Sequence, residues 1–166
     1  QRDWKKNKTI LSGELQGDKN PVNNSYNVVR VHETADQKTV IDGFFITGGY
    51  AIDKPEYPYG GGLLNQGKPV ISNCVFEGNH AKSGGAVFAW SRPAISNCTF
   101  RNNYASEEGG ALAIHLDSPS VTDCTFMDNR ASDNGGAVKI YGSKRFLMKN
   151  STFINNHSLS REGGAV

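Results

Sequence analysis

Three cysteines, two methionines and two tryptophans in 166 residues leave the chain poor in soft metal ligands and in pairable thiols. No Cys-x-x-Cys, no His-x-x-x-His and no calcium loop of alternating acids occurs, so no metal and no cofactor is expected. No apolar run approaches the roughly 18 residues of a membrane span, which excludes direct membrane insertion by a helix. The net charge is only +2, without a basic block or an acidic tail, and this favours neither nucleic acid nor an anionic membrane surface. No window keeps a helical period. There is no Gly-x-Ser-x-Gly elbow, and Gly-Gly-Ala-Val is not a phosphate loop because no helix follows it.

What the chain has instead is one sentence written four times. In register the copies run from Pro69 to Asn79, Pro93 to Asn103, Pro119 to Asn129 and Leu147 to Asn156, each followed by a glycine pair and Ala-Val or Ala-Leu. The phenylalanines Phe76, Phe100, Phe126 and Phe153 set a period of 24, then 26, then 27 residues, the range of solenoids and arrays. Inside a repeat the apolar spacing is two, as in Cys74 and Phe76, which is strand spacing. Glycine pairs, prolines and Asn/Asp/Ser clusters bound each run as turns. One repeat is therefore several short strands, too small to bury its own apolar face and able to do so only by stacking.

Stacking at about 4.8 Å per layer puts like on like. The phenylalanines form one column, and Ile71, Ile95, Val121 and Met148 another. Cys74, Cys98, Cys124 and Ser151 form a third, and the thiols are expected to be buried and reduced because free cysteine behaves as a small apolar residue. Asn79, Asn103, Asn129 and Asn156 are expected to bond amide to amide in a ladder. If Val87 and Ala89, Leu112 and Ile114, and Val138 and Ile140 point inward, alternation turns Trp90, His115 and Tyr141 outward in file, with Phe88, Ala113 and Lys139 beside them.

Phe-x-x-Asn alternating with Gly-Gly-Ala-(Val/Leu) over residues 69–166, and more loosely 39–65, resembles the repeats of the polymorphic outer membrane proteins of bacterial autotransporters and the wider set of secreted right-handed parallel β-helix proteins. Arg2 to Gly13 also resembles a stretch that precedes the repeats in large secreted β-helix proteins, many exported through a carboxyl-terminal sorting domain. The resemblance implies an all-β, right-handed parallel β-helix of about 24–27 residues per coil. It implies a secreted or cell-surface location.

In chain order, residues 1–38 read as irregular amino-terminal coils. Residues 39–166 read as regular coils, with repeats at 69–92, 93–118, 119–146 and a truncated 147–166. In the run Val40 to Gly49, Ile46 stands where the phenylalanines stand and Gly49 replaces the ladder asparagine, so the ladder is expected to begin one coil later. The glycine pair of that coil is read as Gly61-Gly62, delayed by the insertion Ile52 to Tyr59. No cap is visible at the carboxyl end, and the chain is expected to be one segment of a longer protein with further domains.

Candidate ligand-binding residues are the outward Trp90, His115 and Tyr141, whose flat rings suit sugars, and Tyr57 and Tyr59 of the proline-stiffened insertion, which equally suits a cover over apolar edge. His80 and His157 read as solvated turn residues. The favoured expectation is a non-catalytic stalk or adhesin-like module that binds glycan or a cell-surface protein. The alternative is a secreted polysaccharide lyase or glycoside hydrolase, which needs a base beside acids or a carboxylate pair. Asp53 with Glu56, or Asp117 near Lys139, are examples of such groups, but nothing in the sequence distinguishes them from ordinary surface charges, and no catalytic residue is assigned.

Overall fold

The computed structural model describes residues 3, 6–18, 20–115, 119–142, 145–160 and 163–166. Asp117 and part of the Arg2–Gly13 stretch lie outside them. The complete coils pass through four parallel sheets in turn. The first sheet stacks Val40–Asp42, Val70–Ser72, Ala94–Ser96, Ser120–Thr122 and Leu147–Lys149. The second stacks Thr9–Ser12, Phe44–Thr47, Val75–Glu77, Thr99–Arg101, Thr125–Met127 and Thr152–Ile154. The third, the narrowest, holds His80–Ser83, Tyr104–Glu108, Arg130–Ala131 and His157–Ser158. The fourth holds Val29–Val31, Leu63–Asn65, Val87–Ala89, Leu112–His115 and Val138–Tyr141. Every strand pairs in parallel with its equivalent one coil away, so the chain is a parallel β-solenoid. Residues 1–38 are not separate from it, since they supply Thr9–Ser12 and Val29–Val31 to the second and fourth sheets.

Corners between strands are made by residues that tolerate left-handed backbone. Asn73, Asn97, Asp123 and Asn150 turn the first sheet into the second with φ of 53°, 49°, 55° and 50°. Their side chains form solvent-side pairs, Asn97 donating to Asn73 and Asn150 to the Asp123 carboxylate. The extra length of the second repeat begins in the third sheet, where Ala105 and Glu108 pair with Ala81 and Ser83 and one residue bulges out.

The interior is one continuous core. Phe76, Phe100 and Phe126 are fully buried and stack with Phe153 at centroid distances of 5.1, 4.8 and 4.9 Å, their planes nearly parallel. Ile71, Ile95, Val121 and Met148 pair in register beside them. Asn103 donates from Nδ2 to Asn129 Oδ1 at 2.9 Å and to the Phe76 carbonyl at 3.0 Å, and the same two bonds recur at Asn79 and Asn129. Gly49, at the head of the file, donates its N–H to Asn79 Oδ1 at 3.1 Å. The ladder thus begins one coil after Gly49.

The two glycines of each pair answer different demands. Gly109 has φ of +63°, which a side chain adopts only under strain. Gly110 has ordinary backbone, but a Cβ there would sit 2.2 Å from the carbonyl oxygen of Gly136 on the next coil. In the inserted coil the left-handed glycine is Gly60, at +62°, and Leu63 pairs with Val87. The pair there is Gly60-Gly61, one residue earlier than the sequence reading, because three glycines in a row leave the register open until the strand pairing fixes it. Gly110→Ala should cost about 2–3 kcal/mol, since the added methyl forces two hydrogen-bonded layers apart. Gly142→Ala, with φ of +60° and open space around it, should cost only the ~1–2 kcal/mol of a left-handed alanine. Urea unfolding of the two variants compares them, and an equal or smaller loss at Gly110 would reject tight coil spacing as its reason.

Candidate functional site

On the outer face of the fourth sheet, alternation places Leu64, Phe88 and Ala113 away from the core, yet all three are buried. They form a second apolar cluster. The insertion covers it: Tyr50 and Tyr59 bridge His80 and Ser83 of the third sheet, so residues 51–58 loop out between those two anchors. Tyr59 then lies flat on Phe88, with centroids 4.4 Å apart and planes 18° apart. Trp90 meets Phe88 edge-on at 4.8 Å and Tyr59 edge-on at 5.8 Å. These are the offset and T-shaped geometries that ring quadrupoles favour.

Trp90, His115 and Tyr141 do stand in file, half-buried. His115 is 5.1 Å from Trp90 and 3.9 Å from Tyr141, stacked on the latter. The structure therefore brings Tyr59, Trp90, His115 and Tyr141 into one strip, and leaves Tyr57 apart on the insertion, 46% exposed. One expectation changes. The rings do not present flat faces side by side, because the inner faces of His115 and Tyr141 are against each other. Lys139 lies beside the strip, 3.8 Å from Glu108 and 5.7 Å from the Tyr141 centroid. Burial holds the His115 imidazole below its ordinary value, opposed by the charge of Glu108.

Four parallel sheets, an internal asparagine ladder and in-register aromatic columns are what a coiled, layered family would share. A family described as the right-handed β-helix region matches residues 48–165, more than half of the chain. The chain belongs to that family. No curated protein and no solved structure matches it.

In this β-helix the remaining sequence candidates separate. Asp53 and Glu56 are both exposed on the insertion. Among the described residues no group of three or more His, Cys, Asp or Glu is placed to hold a metal. His80 is not a solvated turn residue. It opens a strand, is half-buried between Tyr50 and Tyr104 at 5.8 Å from each, and burial lowers its pKa. Its place just after Gly78 and Asn79, which read as a turn in the sequence, concealed this, since the strand starts at the next residue.

Cys74, Cys98 and Cys124 are buried free thiols on the inward face. Each donates to the carbonyl two residues before it, at 3.1, 3.2 and 3.1 Å. Burial pushes the Cys98 thiol well above its usual value, which removes the reactive thiolate. Burial closes all three to a thiol reagent, so all three should resist it in the native protein and react together on denaturation. Mass spectrometry that finds a bridge between any two, or labelling before unfolding, would contradict this.

Sequence reasoning missed the outer face of the second sheet. Phe45 points outward there, with Lys8 Nζ 5.3 Å and the Arg101 guanidinium 5.8 Å from its ring centroid. The signal was present in Phe44-Phe45-Ile46, where strand alternation must turn one aromatic outward.

Proposed function

We propose that this β-helix is a non-catalytic stalk of an exported bacterial surface protein, and that it binds glycan along the strip of Trp90, His115 and Tyr141. The observation that carries the reading is the second apolar cluster outside the core, whose exposed margin is aromatic and whose neighbours are the polar Lys139, Glu108 and His115. A carbohydrate presents C–H faces and hydroxyls together, and a margin of aromatic rings beside hydrogen-bonding groups meets both. The strip runs along the solenoid axis, so weak contacts to a repeated saccharide add by avidity. Export and surface location rest on the resemblance of the repeats to those of polymorphic outer membrane proteins.

A glycan array probed with multivalent protein should show weak, avidity-dependent binding. Trp90→Ala and Tyr141→Ala should each weaken it by ~1–3 kcal/mol, taking the worth of base stacking on aromatic rings as an upper analogue. Incubation with acidic or plant polysaccharides, with or without calcium, should release nothing. Binding that survives both substitutions would reject the strip, and release of unsaturated sugar ends or new reducing ends would reject the non-catalytic reading.

A further inference from the structure

The outer face of the second sheet carries a cleft of about 250 Å³ that is separate from the aromatic strip on the fourth. Its floor is Phe45, Val75 and Thr99, which are paired in register on successive coils. Lys8 and Arg101 stand over the floor. Arg101 donates from Nη2 to Glu77 at 2.9 Å, while its Nε is buried and has no hydrogen-bond partner. Lys8 has no carboxylate within ion-pair distance among the described residues, and its ammonium rests near the Phe45 ring. Among the described residues two cations thus face one anion, leaving a single positive charge over a largely apolar floor, and one unused donor.

We propose that this cleft binds a monocarboxylate carried on a single six-membered ring. The ring lies on the Phe45–Val75–Thr99 floor, and the carboxylate pairs with Lys8 and takes the free donor of Arg101. One unmatched cation suits a monoanion rather than a phosphate dianion, and the unpartnered Nε of Arg101 gives its carboxylate a charged donor. The volume suits one ring. Phe45 then serves two ends, as an apolar platform and as a π-face that holds the cations in place when the cleft is empty. The proposal does not depend on the glycan strip, because no residue is shared.

The test is a titration of the isotopically labelled 166-residue chain, followed by amide chemical shifts. The probes are cyclohexanecarboxylate, benzoate, glucuronate and the neutral cyclohexanecarboxamide. Carboxylates should give saturable shifts at Phe45, Val75 and Thr99, weakened by salt because the cations are near the surface. The carboxamide should bind about tenfold more weakly, the loss of one charge-assisted pair. Lys8→Gln should weaken carboxylate binding several-fold, whereas Glu77→Gln should tighten it by releasing Arg101 and removing a repelling charge. Melting temperatures verify that both variants remain folded. A preference for benzoate identifies an aromatic acid as the ligand, and a preference for glucuronate identifies a uronic acid. Absence of saturable shifts, equal binding of the carboxamide, or no tightening in Glu77→Gln would overturn the assignment.

Discussion

Phe100→Ala should remove about 3–5 kcal/mol of stability, a large part of what a domain of this size holds. Phe100 is completely buried, with Phe76 at 5.1 Å on one side and Phe126 at 4.8 Å on the other, both with planes 5° from parallel to its own. Truncation therefore removes a core ring and both of its stacking partners' contacts. The void cannot close by collapse, because the layers above and below are pinned by backbone bonds such as Thr99 N to Cys74 O and Thr125 N to Cys98 O, both 2.9 Å. Phe153, only half-buried at the end of the file, is the internal control. Phe153→Ala should cost clearly less, since solvent already reaches that ring. Urea unfolding with an unchanged slope measures both. A loss at Phe100 below about 1 kcal/mol would mean that the column is not the structural core.

The columns are legible in the sequence because stacking converts a sequence period into contact. Phe76, Phe100 and Phe126 recur at one offset, and parallel pairing without shear then places them in register. Asn103 was legible for the same reason, as a polar residue always three places after the buried ring. Periodicity cannot report what happens between coils of different length or at the rotation of a side chain. Tyr59 lies on Phe88 only because the path of the insertion returns it there, and no spacing rule encodes that path. Alternation correctly turned Trp90, His115 and Tyr141 outward, but it is silent on χ angles, so the mutual stacking of His115 and Tyr141 was invisible. Arg101 reaches the Phe45 ring across the intervening Val75 layer, a contact set by side-chain length rather than by repeat position.

Asn103→Leu should be as damaging as the loss of a ring, although it keeps the volume and adds apolar surface. Asn103 is 1% exposed and takes part in four side-chain hydrogen bonds. Its Oδ1 accepts from the backbone N–H of Asn79 at 3.1 Å and from Asn79 Nδ2 at 3.2 Å, while its Nδ2 donates to the Phe76 carbonyl at 3.0 Å and to Asn129 Oδ1 at 2.9 Å. Leucine offers none of these. Two buried donors of Asn79 are stranded and the Phe76 carbonyl loses a partner, and at ~1–3 kcal/mol for each unmet group the sum is roughly 3–9 kcal/mol. Asn156→Leu at the last coil should cost less, because that amide is only half-buried and water can replace it. Hydrogen exchange gives a local reading that a general loss of stability would not: the Asn79 amide should lose protection beyond the global change, since its acceptor is gone, while the Thr125 amide keeps its bond to Cys98. An Asn79 amide that stays as protected as its neighbours, or a total loss below about 1 kcal/mol, would show that these asparagines are turn residues and that the ladder carries no stability.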